Sequence, residues 1–170
     1  RRNRLVQRIS VGCSGLLSII LFQWGPHLVP LQGQSQGSWT VEVPEYWRPG
    51  WTFTGDRGWF SPTADATMVV NRTIHDRPVQ TEQAVQSLID RMSAAGSTPE
   101  ILHRSPIQIG VNEGTLLIMR LTLSGVSTDV QAVVITRGVM TYRAHIQSQT
   151  KTMHRYATIF SRSLATATLR

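Results

Sequence analysis

The sequence predicts an α+β domain in which two amphipathic helices pack on an antiparallel β-sheet. Three observations support this fold class: an apolar stripe of helical period in the middle of the chain, a long run of strand-like segments after it, and a second helical stripe near the C-terminus. Because most strands follow one another directly instead of alternating with helices, we expect an antiparallel sheet. The predicted domain covers residues 38–170.

The first predicted strand is SWTVEV, residues 38–43, in which apolar and polar residues alternate. Pro44 is expected to end it, because proline has no N–H group to donate to a neighbouring strand. The aromatic turn EYWRPGW follows, and then two short predicted strands, GWFSP at 58–62 and ATMVVNRTI at 66–74.

The clearest predicted helix is TEQAVQSLIDRMSAAG, residues 81–96. Its apolar residues are spaced at i, i+3, i+4 and i+7, and they are Val85, Leu88, Ile89 and Met92. Thr81 is predicted to be the N-cap, and Gly96 suits the left-handed position after the last turn. Pro99 prevents the helix from continuing.

The run of strands after this helix begins with ILHRSPIQIG, in which Pro106 predicts a break. It continues with GTLLIMRLTLSG (114–125), TDVQAVVITRG (128–138) and VMTYRAHIQS (139–148), and the Arg137-Gly138 pair predicts a tight hairpin turn. The last segment, 151–170, predicts a helix from the spacing of its apolar residues, which are Met153, Tyr156, Ala157, Phe160 and Leu164.

Residues 1–30 combine a basic flank with an apolar run and predict a hydrophobic helix that anchors the protein in a membrane or packs against membrane subunits. Gly12 and Gly15 provide a small-residue face for a neighbouring helix. A signal-like segment and a buried helix of a soluble domain are the alternatives. The residues assigned to this helix are Ile9, Gly12, Gly15, Leu16, Leu17, Ile19, Ile20, Leu21, Phe22 and Trp24. The polar stretch 31–37 is predicted to be a linker.

The net charge of +7 does not predict a nucleic-acid-binding protein. Four of the arginines precede the apolar run, and the acidic residues of the domain are spread among its other arginines. A nucleic-acid-binding face needs clustered basic residues, so we expect no nucleic-acid partner. The single cysteine, Cys13, excludes a disulfide within the chain and a zinc site built from several cysteines.

The sequence contains no recognisable catalytic motif, so we expect a protein that is not an enzyme and has no cofactor. The five histidines are widely separated, and no G-x-S-x-G, G-x-G-x-x-G or H-E-x-x-H pattern is present. The His75-Asp76 pair is interpreted as an exposed turn in preference to a metal site. His145 alternates with apolar neighbours and is interpreted as a hydrogen-bonded histidine of the sheet.

Two motifs resemble those of the PsbP family, the extrinsic lumenal proteins of oxygenic photosynthesis. The first is VPEYW, in which Pro44 and Trp47 match the family's Pro-Trp turn. The second is the last predicted helix, with Tyr156, Ile159, Phe160 and Ser163. The resemblance covers residues 38–166 and implies an αβα sandwich. It also implies that Pro44, Trp47, Phe160 and Ser163 are structural residues.

The resemblance implies a non-catalytic subunit of a photosynthetic membrane complex. Its domain would lie in the lumen of a plastid or cyanobacterial thylakoid and would bind photosystem subunits, with photosystem II the first choice and photosystem I close behind. The family also leaves room for a weakly held metal ion, with no ligand residue assigned. The alternative is a membrane-tethered ligand- or metal-binding domain, lumenal or periplasmic, that is not stably bound to a photosystem.

Overall fold

The computed structural model of the chain describes residues 6–10, 17–21, 28–32, 39–52 and 56–169. In chain order the elements are β1 Val6–Ser10, β2 Leu17–Leu21, β3 Leu28–Gln32, β4 Trp39–Pro44, β5 Arg48–Trp51, β6 Arg57–Phe60, β7 Ala66–Ile74, α1 Thr81–Ala94, β8 Thr98–Ile109, β9 Asn112–Leu123, β10 Val126–Arg137, β11 Met140–Gln149, α2 Met153–Ala165 and β12 Thr168–Leu169.

A seven-stranded sheet forms the centre of the described fold, with the strand order β5-β6-β7-β11-β10-β9-β8. All its neighbouring strands are antiparallel, and β8 to β11 follow one another as hairpins. The predicted turn between β10 and β11 is present: Arg137 pairs with Met140, and Gly138 has a φ of 58°, a conformation that suits glycine. The pairing of β7 with β11 joins the first part of the domain to these hairpins.

Two layers cover the two faces of this sheet, so the domain is an αβα sandwich. On one face, α1 packs on β9 and β10 through a cluster that includes Val85, Leu88, Met119 and Val134. On the other face lie α2 and the small sheet β12-β4-β3. The core on this face contains Trp39, Val41, Met68, Tyr142, Ala144, Ile146 and Phe160. The predicted α+β class and antiparallel sheet are therefore confirmed.

Details of three elements differ from the sequence expectations. Thr81 is the first helical residue and not the N-cap, because its hydroxyl lies 2.7 Å from the Thr136 hydroxyl. The N-cap is Gln80, whose backbone N–H donates to Gln83 Oε1. Pro106 does not break β8, since β8 is an edge strand in which proline is tolerated. The last helix ends at Ala165 and a short strand follows.

The N-terminal segment differs most from its prediction. Val6–Ser10 and Leu17–Leu21 form antiparallel strands where the sequence predicted a helix, and these strands contain Ile9, Leu17, Ile19, Ile20 and Leu21. β-branched residues such as Val6, Ile9, Ile19 and Ile20 favour an extended backbone, which is the physical reason for the difference. The other residues assigned to that helix, Gly12, Gly15, Leu16, Phe22 and Trp24, lie outside the described residues.

The strand Leu28–Gln32 pairs with β4, so Leu31 and Gln32 belong to the small sheet although the sequence assigned them to the linker. Within the described part of the chain, neither helix is long and apolar enough to cross a membrane.

Candidate functional site

The helix α1 covers only half of its face of the central sheet. It packs over β8, β9 and β10, while β7 and β11 continue beyond it on the same face. Side chains alternate along a strand, and Tyr142, Ala144 and Ile146 point into the opposite core. The intervening residues of β11 therefore form the floor of a cavity beside α1, together with their partners on β7; these floor residues are Thr67, Val69, Asn71, Arg143, His145 and Gln147.

This cavity has a volume of about 630 Å³. One wall is the side of α1, with Leu88, Arg91 and Met92, and the opposite wall is the β5–β6 hairpin, with Trp51 and Phe60. Leu121, Leu123 and Val126 close the end near the β9–β10 turn, and most of the cavity surface is apolar, with polar side chains interspersed along it. Its volume lies within the roughly 300–1,000 Å³ of small-molecule sites, whose surface is also mostly apolar.

A polar network joins the two walls across the sheet. Arg91 on α1 forms a salt bridge with Asp56, with 3.3 Å between Nη2 and Oδ1, and Asp56 Oδ1 also accepts a hydrogen bond from Asn71 Nδ2 at 3.3 Å. Asn71 Oδ1 in turn accepts from Arg143 Nε at 3.2 Å, while Arg143 Nη2 donates to Thr73 Oγ1 at 3.1 Å. The network fixes the position of the Arg143 guanidinium.

Arg143 is half-buried, and its hydrogen-bond partners Asn71 and Thr73 are neutral. Among the described residues, no carboxylate lies within salt-bridge distance of it. Burial lowers the pKa of Arg143, the charge of Arg91 acts in the same direction, and Asp56 opposes both. The Arg143 cation is therefore partly desolvated without an anion of its own.

His145 lies two residues further along β11, on the same face as Arg143. Burial lowers the pKa of His145 to about 4; Arg143 and Arg91 contribute to this decrease, while Asp56 opposes it. No described residue hydrogen-bonds the ring, which is half-buried and lines the cavity. The prediction of a sheet histidine is thus confirmed, and the hydrogen bond predicted for its ring has no protein partner among the described residues.

The low pKa of His145 predicts a loss of stability in acid. Its folded pKa is about 4 and its ordinary value is 6.5, so the unfolded chain binds more protons between these two values. The free energy of unfolding should therefore fall as the pH decreases from 6.5 towards 4, by at most about 3 kcal/mol. Water in the cavity can hydrate the ring, so the change should stay below this limit. Urea unfolding at pH 7 and pH 4.5 measures it.

The matched variant for this test is His145→Gln, which removes the titrating ring and keeps a polar side chain. Asp56, Arg91 and Arg143, the charged groups around His145, remain in place. The variant should lose less stability between pH 7 and pH 4.5 than the native chain loses. An equal loss in both proteins would show that other groups cause the acid sensitivity.

A second cavity, of about 670 Å³, lies beside the N-terminal half of α1, and Arg143 lines it as well. It contains His75, whose Nε2 lies 3.0 Å from Thr141 Oγ1, together with Asp76 and Arg77. The lining is more polar and more charged than that of the first cavity. Within the described residues, His75 and Asp76 belong to no group of three or more residues able to hold a metal ion.

The motif residues lie in the other core, across the sheet from the cavity. The backbone N–H of Trp47 donates to the backbone carbonyl of Pro44 at 2.9 Å, which forms the turn. The Trp47 ring packs edge-on against Tyr156 with 5.8 Å between ring centroids. Phe160 and Ser163 are buried on α2. The two motifs therefore meet in the core and contribute packing.

The residues of the cavity floor had no role in the sequence interpretation, apart from His145. A signal was present in YRAHIQ, residues 142–147, where Arg143, His145 and Gln147 alternate with residues of the core. Such a polar face on a strand in the middle of the sheet is unusual, and it marks a place where the covering layer is incomplete. Asp56, Asn71 and Arg91 offered no comparable local pattern.

Comparison with known proteins gives the fold. No protein-family profile matches the chain, and its sequence matches no curated protein. Among solved structures, the chain is similar to cyanobacterial PsbP (CyanoP) from Synechocystis, with a TM-score of 0.67 and 11% identity, over 95% of this chain and 98% of that one.

Two further structures share this fold. The Ran-binding protein Mog1p of Saccharomyces cerevisiae has a TM-score of 0.60 and 11% identity, over 85% of this chain and 96% of that one. LpqN of Mycobacterium tuberculosis, involved in cell envelope biogenesis, has a TM-score of 0.59 and 13% identity, over 84% of this chain and 90% of that one. The chain thus has the PsbP-like fold, which occurs in proteins of different functions.

Proposed function

We propose that this protein is a non-catalytic, PsbP-like subunit of a photosynthetic membrane complex. Its domain would bind on the lumenal side of the thylakoid membrane and stabilise or help assemble the complex, with photosystem II as the first choice and photosystem I as the second. The observation that carries this proposal is the fold likeness to CyanoP, which extends over nearly the full length of both chains.

The core motifs support the same proposal. The likenesses to Mog1p and LpqN have lower TM-scores and cover less of this chain. The VPEYW turn and the final helix, through which the sequence resembles the PsbP family, contact each other by the Trp47–Tyr156 ring pair. This contact packs α2 against the turn that follows β4.

The N-terminal segment is proposed to supply most of the attachment to the membrane or to its subunits. Its sequence combines arginines with an apolar run, and burying such a run gains about 25 cal/mol per Å² of apolar surface. The domain carries charges of both signs, so its own contacts with a partner should be more polar and weakened by salt.

The experiment compares the full chain with a variant that lacks residues 1–27. This truncation keeps Leu28–Gln32, which pairs with β4, and therefore leaves the small sheet intact. Both proteins are added to cyanobacterial thylakoid membranes, which are washed in high salt, solubilised in mild detergent and separated on a native gel. The full chain should co-migrate with a chlorophyll-containing photosystem II band, and the truncated domain should be lost in the wash.

Two results would count against this proposal. A full chain that runs only as a small free species would contradict binding to a photosystem. A truncated domain that withstands high salt as well as the full chain does would place the main attachment on the domain surface. Co-migration with photosystem I alone would make photosystem I the proposed partner in place of photosystem II.

A second candidate function is a membrane-tethered ligand-binding domain that is not stably bound to a photosystem. The cavity of about 630 Å³ beside α1 favours it, because the cavity is mostly apolar and has an arginine and a histidine on its floor. A free species on the native gel, together with binding of a small molecule by the purified chain, would support this candidate.

A further inference from the structure

We propose that the cavity beside α1 is a binding site for an amphipathic carboxylate, that is, a molecule with an aliphatic body and one carboxylate group. The carboxylate would bind the Arg143 guanidinium on the floor, and the aliphatic body would lie against the apolar wall. This inference goes beyond the proposed function and does not depend on it, because it concerns the purified chain alone.

The surroundings of Arg143 favour an anion. The cavity is lined by two guanidinium groups, Arg91 and Arg143, and by two carboxylates, Asp56 and Asp65. Asp56 forms its salt bridge with Arg91, and Asp65 accepts hydrogen bonds from hydroxyl groups, so among the described residues no carboxylate lies within salt-bridge distance of Arg143. Arg143 donates from Nε and Nη2 to neutral oxygens, so its Nη1 has no partner among the described residues. A carboxylate is the anion whose two oxygens fit a guanidinium, and a charge-assisted hydrogen bond is stronger than a neutral one.

His145 gives the anion a second contact. Residues i and i+2 of a strand lie on one face at about 7 Å from each other, so a carboxylate between Arg143 and His145 can reach both. The ring is neutral at pH 7, since its pKa is about 4, and a neutral imidazole still has one N–H to donate. No described residue competes for that N–H group.

The remaining lining selects an aliphatic body. Phe60 and Leu88 lie on the sides of the cavity, Val69 is the apolar residue of its floor, and Met92 and Leu121 extend the apolar surface away from Arg143. Leu123 and Val126 at the far end are exposed large hydrophobic residues, with exposed fractions of 47% and 57%. The aliphatic body of a bound ligand would cover this apolar surface, which otherwise stays in contact with water.

The test measures binding of decanoate, decanol and acetate to the full chain by isothermal titration calorimetry at pH 7, below the concentrations at which the probes aggregate. Decanoate should bind about ten- to hundredfold more tightly than decanol, which corresponds to one charged hydrogen-bonded contact. Acetate has no aliphatic body and should show no measurable binding. Equal affinities for decanoate and decanol would overturn the proposal.

Variants locate the site. Arg143→Gln should weaken decanoate binding about ten- to hundredfold and leave decanol binding unchanged, which also shows that the variant is folded. The control is Arg155→Gln, because Arg155 is exposed on α2, across the sheet from the cavity, and its removal alters the net charge equally. Similar losses in the two variants would show that decanoate responds only to the overall charge, and the proposal would be wrong.

The native chain offers a further measurement that does not require any variant to fold. A carboxylate beside His145 favours its protonated form, so decanoate should raise the pKa of His145, while decanol should not. The groups that face the ring, Asp56, Arg91 and Arg143, are the same in both titrations. NMR of the ring protons follows the titration from pH 7 down to about pH 5, where decanoate is still largely ionised. A ring that titrates no earlier in saturating decanoate than in decanol over this range would overturn the proposed position of the carboxylate.

Discussion

Leu88→Asp is expected to unfold the domain or to lower its free energy of unfolding by about 4–5 kcal/mol. Leu88 is on the buried side of α1 and only 3% exposed, in a cluster with Val85, Met119 and Val134. The substitution removes the apolar contacts and places a carboxylate among side chains that cannot hydrogen-bond it. Circular dichroism of the full chain during urea and thermal unfolding measures the change.

Two matched variants separate the causes of this loss. Leu88→Ala removes the packing without adding a charge. It should lower the free energy of unfolding by about 2–4 kcal/mol, which is less than the loss expected for Leu88→Asp. Ser87→Asp adds the same charge at the neighbouring exposed position and should stay within about 0.5 kcal/mol. Native-like melting of the Leu88→Asp protein would show that this side of α1 is not buried in solution.

The helix α1 shows how much of the fold local patterns predict. Val85, Leu88, Ile89 and Met92 pack towards the sheet as their spacing predicted, and Gly96 has the expected positive φ of 83°. The predicted N-cap position was wrong by one residue, because the Thr81 hydroxyl contacts Thr136, which is 55 residues away in sequence. A tertiary contact of this kind competes with local capping and leaves no trace in the segment itself.

The cavity depends on information that the sequence pattern does not contain. Arg143 and Asn71 are 72 residues apart, and Arg91 and Asp56 are 35 apart. Periodicity gives the face of a strand on which a residue lies, but it does not show which strands pair or which half of the sheet a helix covers. The pairing of β7 with β11 and the position of α1 over β8 to β10 decide both questions.

The N-terminal segment illustrates the limit of apolar composition as a signal. A short run of apolar residues satisfies its backbone either within one helix or between two paired strands, and its periodicity does not distinguish the two. In the described pieces the structure has the second arrangement, with Val6 paired to Leu21 and Ser10 to Leu17. The anchoring role of this segment stays a prediction, which the truncation described above tests.

Phe160→Ala is expected to lower the free energy of unfolding by about 3–5 kcal/mol. The ring is 1% exposed and lies in the core between α2 and the central sheet, together with Val41, Met68 and Tyr142. The substitution removes the stabilisation gained by transferring the ring from water into the core. It also leaves a void that the neighbouring strands of the antiparallel sheet cannot close by small shifts. Urea unfolding at pH 7 measures the loss.

Ile159→Ala is the matched control, because Ile159 is the neighbouring residue of α2 and only partly buried against the same core. It should cost about 1–2 kcal/mol, less than Phe160→Ala, since part of its side chain already contacts water. Phe160 lies across the sheet from the cavity beside α1, so Phe160→Ala protein that remains folded at low temperature should bind decanoate like the native chain. A small stability loss for Phe160→Ala, no greater than that for Ile159→Ala, would show that the second family-like motif does not hold α2 in the core.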